Sequence, residues 1–120
     1  MKRGDIILIS FPFTDLTTEK VRPAVVISSD SLNENPNRED IIVVAISSQT
    51  DNAGDRDVFV DPQQHPETNL KKLSIIKIDK IFTIAKSLGK RLLGPLPPNL
   101  VSDLDNNLCD VLGLRTTTTN

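Results

Sequence analysis

Residue types that carry common chemistries are scarce in this 120-residue chain, which has one cysteine, Cys109, and one histidine, His65. A lone thiol excludes an intramolecular disulfide and fits a reducing compartment. One histidine and one cysteine, distant in sequence, also leave a zinc site without its customary ligands. His65 lies in the segment Pro62-Gln63-Gln64-His65-Pro66, where exposure is the default, and Cys109 falls on a helical pattern where a buried or half-buried thiol is the normal state. A nucleophilic Cys–His pair is therefore disfavoured. The five glycines are isolated, so no glycine-rich phosphate cradle exists. No stretch approaches the roughly 20 apolar residues needed to span a bilayer. Lys2 and Arg3 before an apolar run mimic an export signal, but the run stops at Ile9, follows Asp5, meets Pro12 early and has no small-residue cleavage site. The expectation is a cytoplasmic protein whose first apolar segment is a strand.

What is present suits a small folded domain. Hydrophobic residues make up 38% and charged residues 25%, which excludes a disordered or collagen-like chain. The net charge of -2 argues against wholesale nonspecific nucleic-acid binding. That charge is unevenly placed: residues 1–66 carry a net -5 and residues 67–120 a net +3. Between Lys71 and Arg91, seven basic side chains face one acid, Asp79. Such a stripe can neutralise phosphates locally, or it can be a solvated strand edge whose lysines discourage aggregation.

Five segments read as strands: residues 5–11, 24–28, 41–46, 57–60, and 74–78 continuing toward 81–84. The nearly continuous run at 41–46 predicts a central strand buried on both faces, and Phe59 is the expected core anchor of the fourth strand. Asn-, Asp- and Pro-rich stretches at 30–40, 50–56 and 61–69 read as loops, as does the polar segment 12–23. Leu100, Leu104, Leu108, Val111 and Leu112 form the apolar stripe of an amphipathic helix, with Asn99 as its cap, Asp103 and Asp105 toward its positive end and Gly113 as its stop. The architecture expected is mostly β, a small antiparallel sheet with one packing helix, as a single domain over 1–115 and a frayed tail at 116–120.

Arginine, hydroxyls and backbone remain as chemical groups. Arg22, just before Pro23 at the end of the polar segment, offers a fixed fork of donors suited to phosphate. Ser47 and Ser48 follow the buried strand where it reaches the surface, a position that lines clefts or satisfies turn hydrogen bonds. Asp51, Asp55 and Asp57 around Gly54 lack the order and the closing glutamate of a calcium loop and read as a charged hairpin.

Three collinear blocks then make the chain recognisable. They are Gly4-Asp5-Ile6-Ile7-Leu8 through Phe11-Pro12-Phe13-Thr14-Asp15 to Lys20-Val21-Arg22-Pro23-Ala24-Val25-Val26; Val43-Val44-Ala45-Ile46-Ser47-Ser48-Gln49; and Leu73-Ser74-Ile75-Ile76-Lys77-Ile78-Asp79-Lys80-Ile81. Together with the helix ending at Leu114, they resemble the PemK/MazF family, the toxins of type II toxin–antitoxin modules. The resemblance implies an SH3-like barrel of antiparallel strands with a C-terminal helix, working as a homodimer. It implies a metal-independent endoribonuclease, with no cofactor, that cuts single-stranded RNA to 2′,3′-cyclic phosphate and 5′-OH ends. It also implies a cognate antitoxin, acidic and partly disordered, lying along the RNA groove. The family's catalytic arginine falls on Arg22, and its hydroxyl, commonly threonine, falls on Ser47. RNA-binding positions fall on Lys20, Ser48, Gln49 and Ser74, and Phe13 is the aromatic nominated for base stacking, with Phe11, Phe59 and Phe82 assigned to the core. With no Trp or Tyr, stacking platforms are few. Serine at 47 keeps the hydroxyl but loses the methyl that restrains its rotamer. Two alternatives stay open: a catalytically silent RNA- or protein-binding member of the fold, and a CcdB-like poison of DNA gyrase.

Overall fold

Runs of Ile and Val set in an antiparallel frame build one open sheet, curved into a half-barrel and packed on a C-terminal helix. The structure is a computed structural model and describes residues 1–11 and 20–114, with the side chain of Phe11 left out. The strands are β1 (Asp5–Phe11), β2 (Lys20–Val26), β3 (Asp40–Ser47), β4 (Val58–Val60), β5 (Ser74–Ala85) and β6 (Gly89–Pro95), in the order β4-β5-β3-β2-β1-β6. Helix α1 (Asp30–Asn33) is one turn, and α2 (Pro98–Leu112) is the packing helix. Among the described residues no helix is long and apolar enough to cross a membrane.

Strand β3 is buried on both faces, as its unbroken apolar run predicts. Val44 and Ile46 join a core with Ile6, Val25, Ile76 and the helix residues Leu100, Leu104 and Leu108. Ile41 and Val43 join a second core on the other face with Ile7, Ile9, Ala24 and Val26. The pleat sends successive side chains to opposite faces, so one strand feeds both cores.

Several expectations are corrected. A sixth strand, β6, was not legible in Gly89-Lys90-Arg91-Leu92-Leu93-Gly94-Pro95, which lacks alternation and β-branched residues. It forms because β1 has a second edge to satisfy, and two register shifts let it pair from Asp5↔Pro95 to Ile9↔Gly89. Strand β2 begins at Lys20, not Ala24, because its polar first residues pair with β1 in Phe11↔Lys20 and Ile9↔Arg22. Arg22 therefore belongs to a strand and not to the end of a loop. Asn33 of α1, in a stretch expected to be loop, is buried and donates to the Ser28 carbonyl at 2.8 Å.

Phe59 is not a core anchor: it is 51% exposed, while Val58 and Val60 on either side are buried. The two valines take the core face of a three-residue strand, and alternation turns the phenyl ring to the other side.

Helix α2 starts one residue before Asn99, which sits inside the first turn and makes no capping bond, and it stops at Gly113 in the left-handed conformation. Its stripe is shorter than expected. Leu100, Leu104 and Leu108 are buried, whereas Val111 and Leu112 are exposed. Asp105 is drawn into an ion pair with Arg3 at 2.8 Å, and Arg3 Nε also donates to the Ile27 carbonyl, tying the N-terminus to the helix.

Asp57 is no solvated hairpin charge. Its side chain is 6% exposed and accepts from Lys77 Nζ at 2.9 Å, Gly54 N–H at 2.8 Å and Ile78 N–H at 3.2 Å. Lys77 and Ile78 lie in the stretch of β5 where the β3–β5 register shifts, between the pairs Val44↔Ile81 and Ile46↔Ile76. Burial pushes the carboxyl upward, but the bonds from Lys77, Gly54 and Ile78 outweigh it and hold the pKa below its ordinary 3.8. A depressed carboxylate stabilises above its unfolded value, and that contribution is lost as pH falls through the lower folded value. Asp57→Asn is expected to cost about 1 kcal/mol at neutral pH. The cost should shrink below pH 3.8, as checked by urea midpoints at several pH values.

Candidate active site

Strand register aligns the main candidates. Ser47 is opposite Ile75 on β5, and Ile75 is opposite Phe59 on β4. On the other side of β3, Ala24 faces Ala45, and carrying that register two residues further sets Arg22 level with Ser47; the paired ladder itself ends at Ala24–Ala45. Arg22 is in turn opposite Ile9 of β1. By the strand pleat, Arg22, Ser47, Ile75 and Phe59 share the sheet face turned away from α2. Lys20, exposed at the first position of β2, shares Arg22's face two residues away.

The two catalytic candidates differ in environment. Arg22 is exposed and makes no ion pair or side-chain hydrogen bond among the described residues. Ser47 is half-buried, and its Oγ accepts the backbone N–H of Gln49 at 3.1 Å. That is the turn bond a serine at a strand end makes, and it leaves the hydroxyl proton free for an incoming oxygen. Gln49 is exposed and enters this constellation through its backbone.

A cleft of about 630 Å³ opens on the other face of these strands, where Leu8, Val21, Pro23, Ile46 and Ser48 alternate with Arg22 and Ser47. Leu8, Val21, Pro23 and Ile46 supply its apolar lining, and Arg22, Ser48, Ser74, Lys71, Lys72 and Arg91 its polar one. Four cations line it and no carboxylate does, so it attracts anions. Arg22 thus borders both the cleft and the row containing Ser47, whereas Ser48 faces the cleft and Ser47 does not line it. Ser74 is buried, and its Oγ donates to the Lys72 carbonyl at 2.9 Å, so its proton already serves to shape the 72–74 turn. Phe13 lies outside the described residues.

Lys71, Lys72 and Arg91 were legible only as part of a long basic stripe. The fold divides that stripe. Lys77 is engaged by Asp57 and Lys86 by the Asn35 carbonyl, while segment 69–73 is held beside β6 so that Lys71 and Lys72 meet Arg91. Asn69, left-handed at φ 56, donates from Nδ2 to the Leu93 carbonyl at 2.6 Å and makes this join. Asparagine tolerates that conformation, which is the one local signal a reader of residues 61–69 had.

A half-barrel on one C-terminal helix is a fold known from solved structures. Similar folds occur in the toxin MazF-mt6 of Mycobacterium tuberculosis (TM-score 0.74, 18% identity, 93% of this chain and 99% of that one). They occur also in the MazE–MazF complex of Deinococcus radiodurans (0.74, 15%, 96% and 98%) and in a mycobacterial endoribonuclease bound to its cognate antitoxin (0.73, 17%, 97% and 96%). No curated protein matches the sequence at a level that marks relatedness. The profile of the PemK-like, MazF-like toxins of type II toxin–antitoxin systems matches residues 2–112. This chain belongs to that family.

Proposed function

We propose that the protein is the endoribonuclease toxin of its module, cutting single-stranded RNA without a metal at a site built on Arg22 and Ser47. The observation that supports the reading is the register of the sheet: continued two residues beyond Ala24–Ala45, it sets Arg22 level with Ser47, and Arg22 also lines a cleft with three other cations.

The chemistry is internal transesterification. The ribose 2′ oxygen bonds to phosphorus and the P–O5′ bond breaks; the 2′ proton leaves to solvent and the 5′ oxygen gains one. The products are a 2′,3′-cyclic phosphate and a 5′-OH. Negative charge builds on the phosphorane oxygens, where Arg22 and the Ser47 hydroxyl donate preorganised hydrogen bonds. Arginine stays protonated and so cannot be the base. Its part is to hold the charge that builds on the phosphorane oxygens, and the 5′ oxygen takes its proton from solvent.

Lys71, Lys72 and Arg91 hold neighbouring phosphates, with Lys20, Ser48, Gln49 and Ser74 along the strand. A homodimer and an acidic antitoxin that competes for the cationic cleft complete the assembly, in the cytoplasm where messenger RNA is available. The same cleft favours RNA over a gyrase-directed poison, which needs neither the arginine nor the hydroxyl.

The test is incubation with long single-stranded RNA in EDTA, with the cut ends mapped. Discrete cuts with cyclic phosphate ends are expected; intact RNA from folded, antitoxin-free protein would overturn the reading in favour of a silent binder or a gyrase poison. A second measurement concerns the flank. Lys72→Ala is expected to lower the slope of log affinity against log salt by about 0.7, the contribution of one phosphate contact on a single strand. An unchanged slope would remove Lys72 from the interface.

A further inference from the structure

We infer that Phe59 is a stacking platform for a base of the RNA strand that Arg22 and Ser47 engage. The inference rests on the ribonuclease reading and extends it to a residue that the sequence assigned to the core. Three observations meet here. Phe59 is 51% exposed, although its strand neighbours Val58 and Val60 are 6% and 0% exposed. Those buried valines fix the pleat of β4, so the ring is presented from a rigid strand and not from a loop. And the ring lies at the end of the cross-strand row Phe59–Ile75–Ser47, with Arg22 level with Ser47 on the far side.

Strand spacing turns that row into a length. Adjacent strands lie about 4.8 Å apart, which sets Phe59 about 10 Å from Ser47 and about 14 Å from Arg22. A nucleotide whose phosphate sits on Arg22 and Ser47 therefore leaves a neighbouring base on the same strand within reach of the ring. Ile75 between them is 1% exposed, so the row is covered at that point and open at the Phe59 end. Aromatic faces bind every base, so the platform adds affinity without demanding a sequence.

A protein occupant is less suited to this spot. A stable interface buries about 800 Å² on each partner. Apart from Phe59, the large exposed apolar residues belong to other segments: Met1 at the N-terminus, Val21 on β2, Leu73 before β5, Leu92 on β6, and Val111, Leu112 and Leu114 at the helix end. An exposed aromatic on a sheet edge also invites aggregation, a liability that a binding role explains.

The test uses a fluorescent single-stranded oligonucleotide with 2′-deoxyribose at the cleavage position, so that binding is read without cutting. Phe59→Ala and Phe59→Leu are expected to bind about tenfold more weakly, and Phe59→Trp to restore affinity. In cleavage assays KM should rise with kcat unchanged. Because the chain has no tryptophan, Phe59→Trp also reports directly, by quenching of its only indole when RNA binds. Wild-type affinity in Phe59→Ala, or in Phe59→Leu, would overturn the platform while leaving the ribonuclease intact. A change of mass in sedimentation with RNA affinity retained would make the ring a protein contact. Failure of the wild-type protein both to bind and to cut RNA would overturn this inference and the ribonuclease reading together.

Discussion

Arg22→Ala is expected to lower the rate of RNA cleavage by about a hundred- to a thousandfold, the loss that follows removal of one preorganised donor from an oxyanion site. In free energy that is about 3–4 kcal/mol of transition-state stabilisation. The stability of the fold should change little, because Arg22 is exposed and makes no side-chain bond among the described residues. Arg22→Lys should recover only part of the rate, since an ammonium keeps the charge but not the planar fork that matches two phosphate oxygens. The readout is initial rates on a fluorescent oligoribonucleotide, with urea midpoints run alongside. Full activity in Arg22→Ala would remove the residue from the mechanism. A large drop in the midpoint would show instead that the arginine is structural.

Gly94→Ala is the second large effect, and it couples the fold to the cleft. A Cβ at this position would stand 2.1 Å from the carbonyl oxygen of Glu67 and 3.2 Å from its carbon. Both are backbone atoms of the 3-10 turn Pro66–Thr68, which lies directly over β6. Neither β6 nor the turn can yield cheaply. Gly94 is paired opposite Ile6, and the turn is closed by the hydroxyl of Thr68, fully buried, donating to the His65 carbonyl at 2.8 Å. The expected cost is about 3 kcal/mol, the upper part of the range for overpacking. The functional consequence is larger than a stability assay alone would reveal. Lifting the turn breaks the Asn69–Leu93 bond and moves Lys71 and Lys72 away from Arg91, so RNA affinity should fall in the protein that remains folded. Unchanged urea midpoint and unchanged RNA binding would together show that the turn is free to shift.

Gly94 and Phe59 also mark where reading the chain residue by residue stops. Period and composition were enough for the mostly β architecture, for a β3 buried on both faces, and for a terminal helix with Leu100, Leu104 and Leu108 inward and Gly113 at its end. Those features rest on local physics: alternation on a pleat, a 3.6-residue stripe, and a left-handed stop that glycine takes easily. Arg22, Ser47 and Ser48 were legible as candidates because they lie beside Pro23 or at the end of an apolar strand, where polar groups meet solvent, whereas Ser74, buried in the structure, came only from the family likeness. The family likeness then turned that list into a chemistry.

Long-range pairing decided the rest. Strand β6 has no strand-like sequence and exists because β1 has two edges. The length of Val58–Val60 decided Phe59: two valines were enough to cover that part of the core, and the ring between them was left outside. Part of the basic stripe came to line one cleft only when Asn69 and Gly94 let segment 69–73 lie against β6, while Asp57 drew Lys77 away. No local pattern encodes such contacts, because their energy depends on which distant backbone approaches and how closely. In this protein the chain by itself determined most of the strands, the terminal helix and the residue types available for chemistry. Only the tertiary structure decided which cations share a cleft, and which aromatic is left exposed at the level of Arg22 and Ser47.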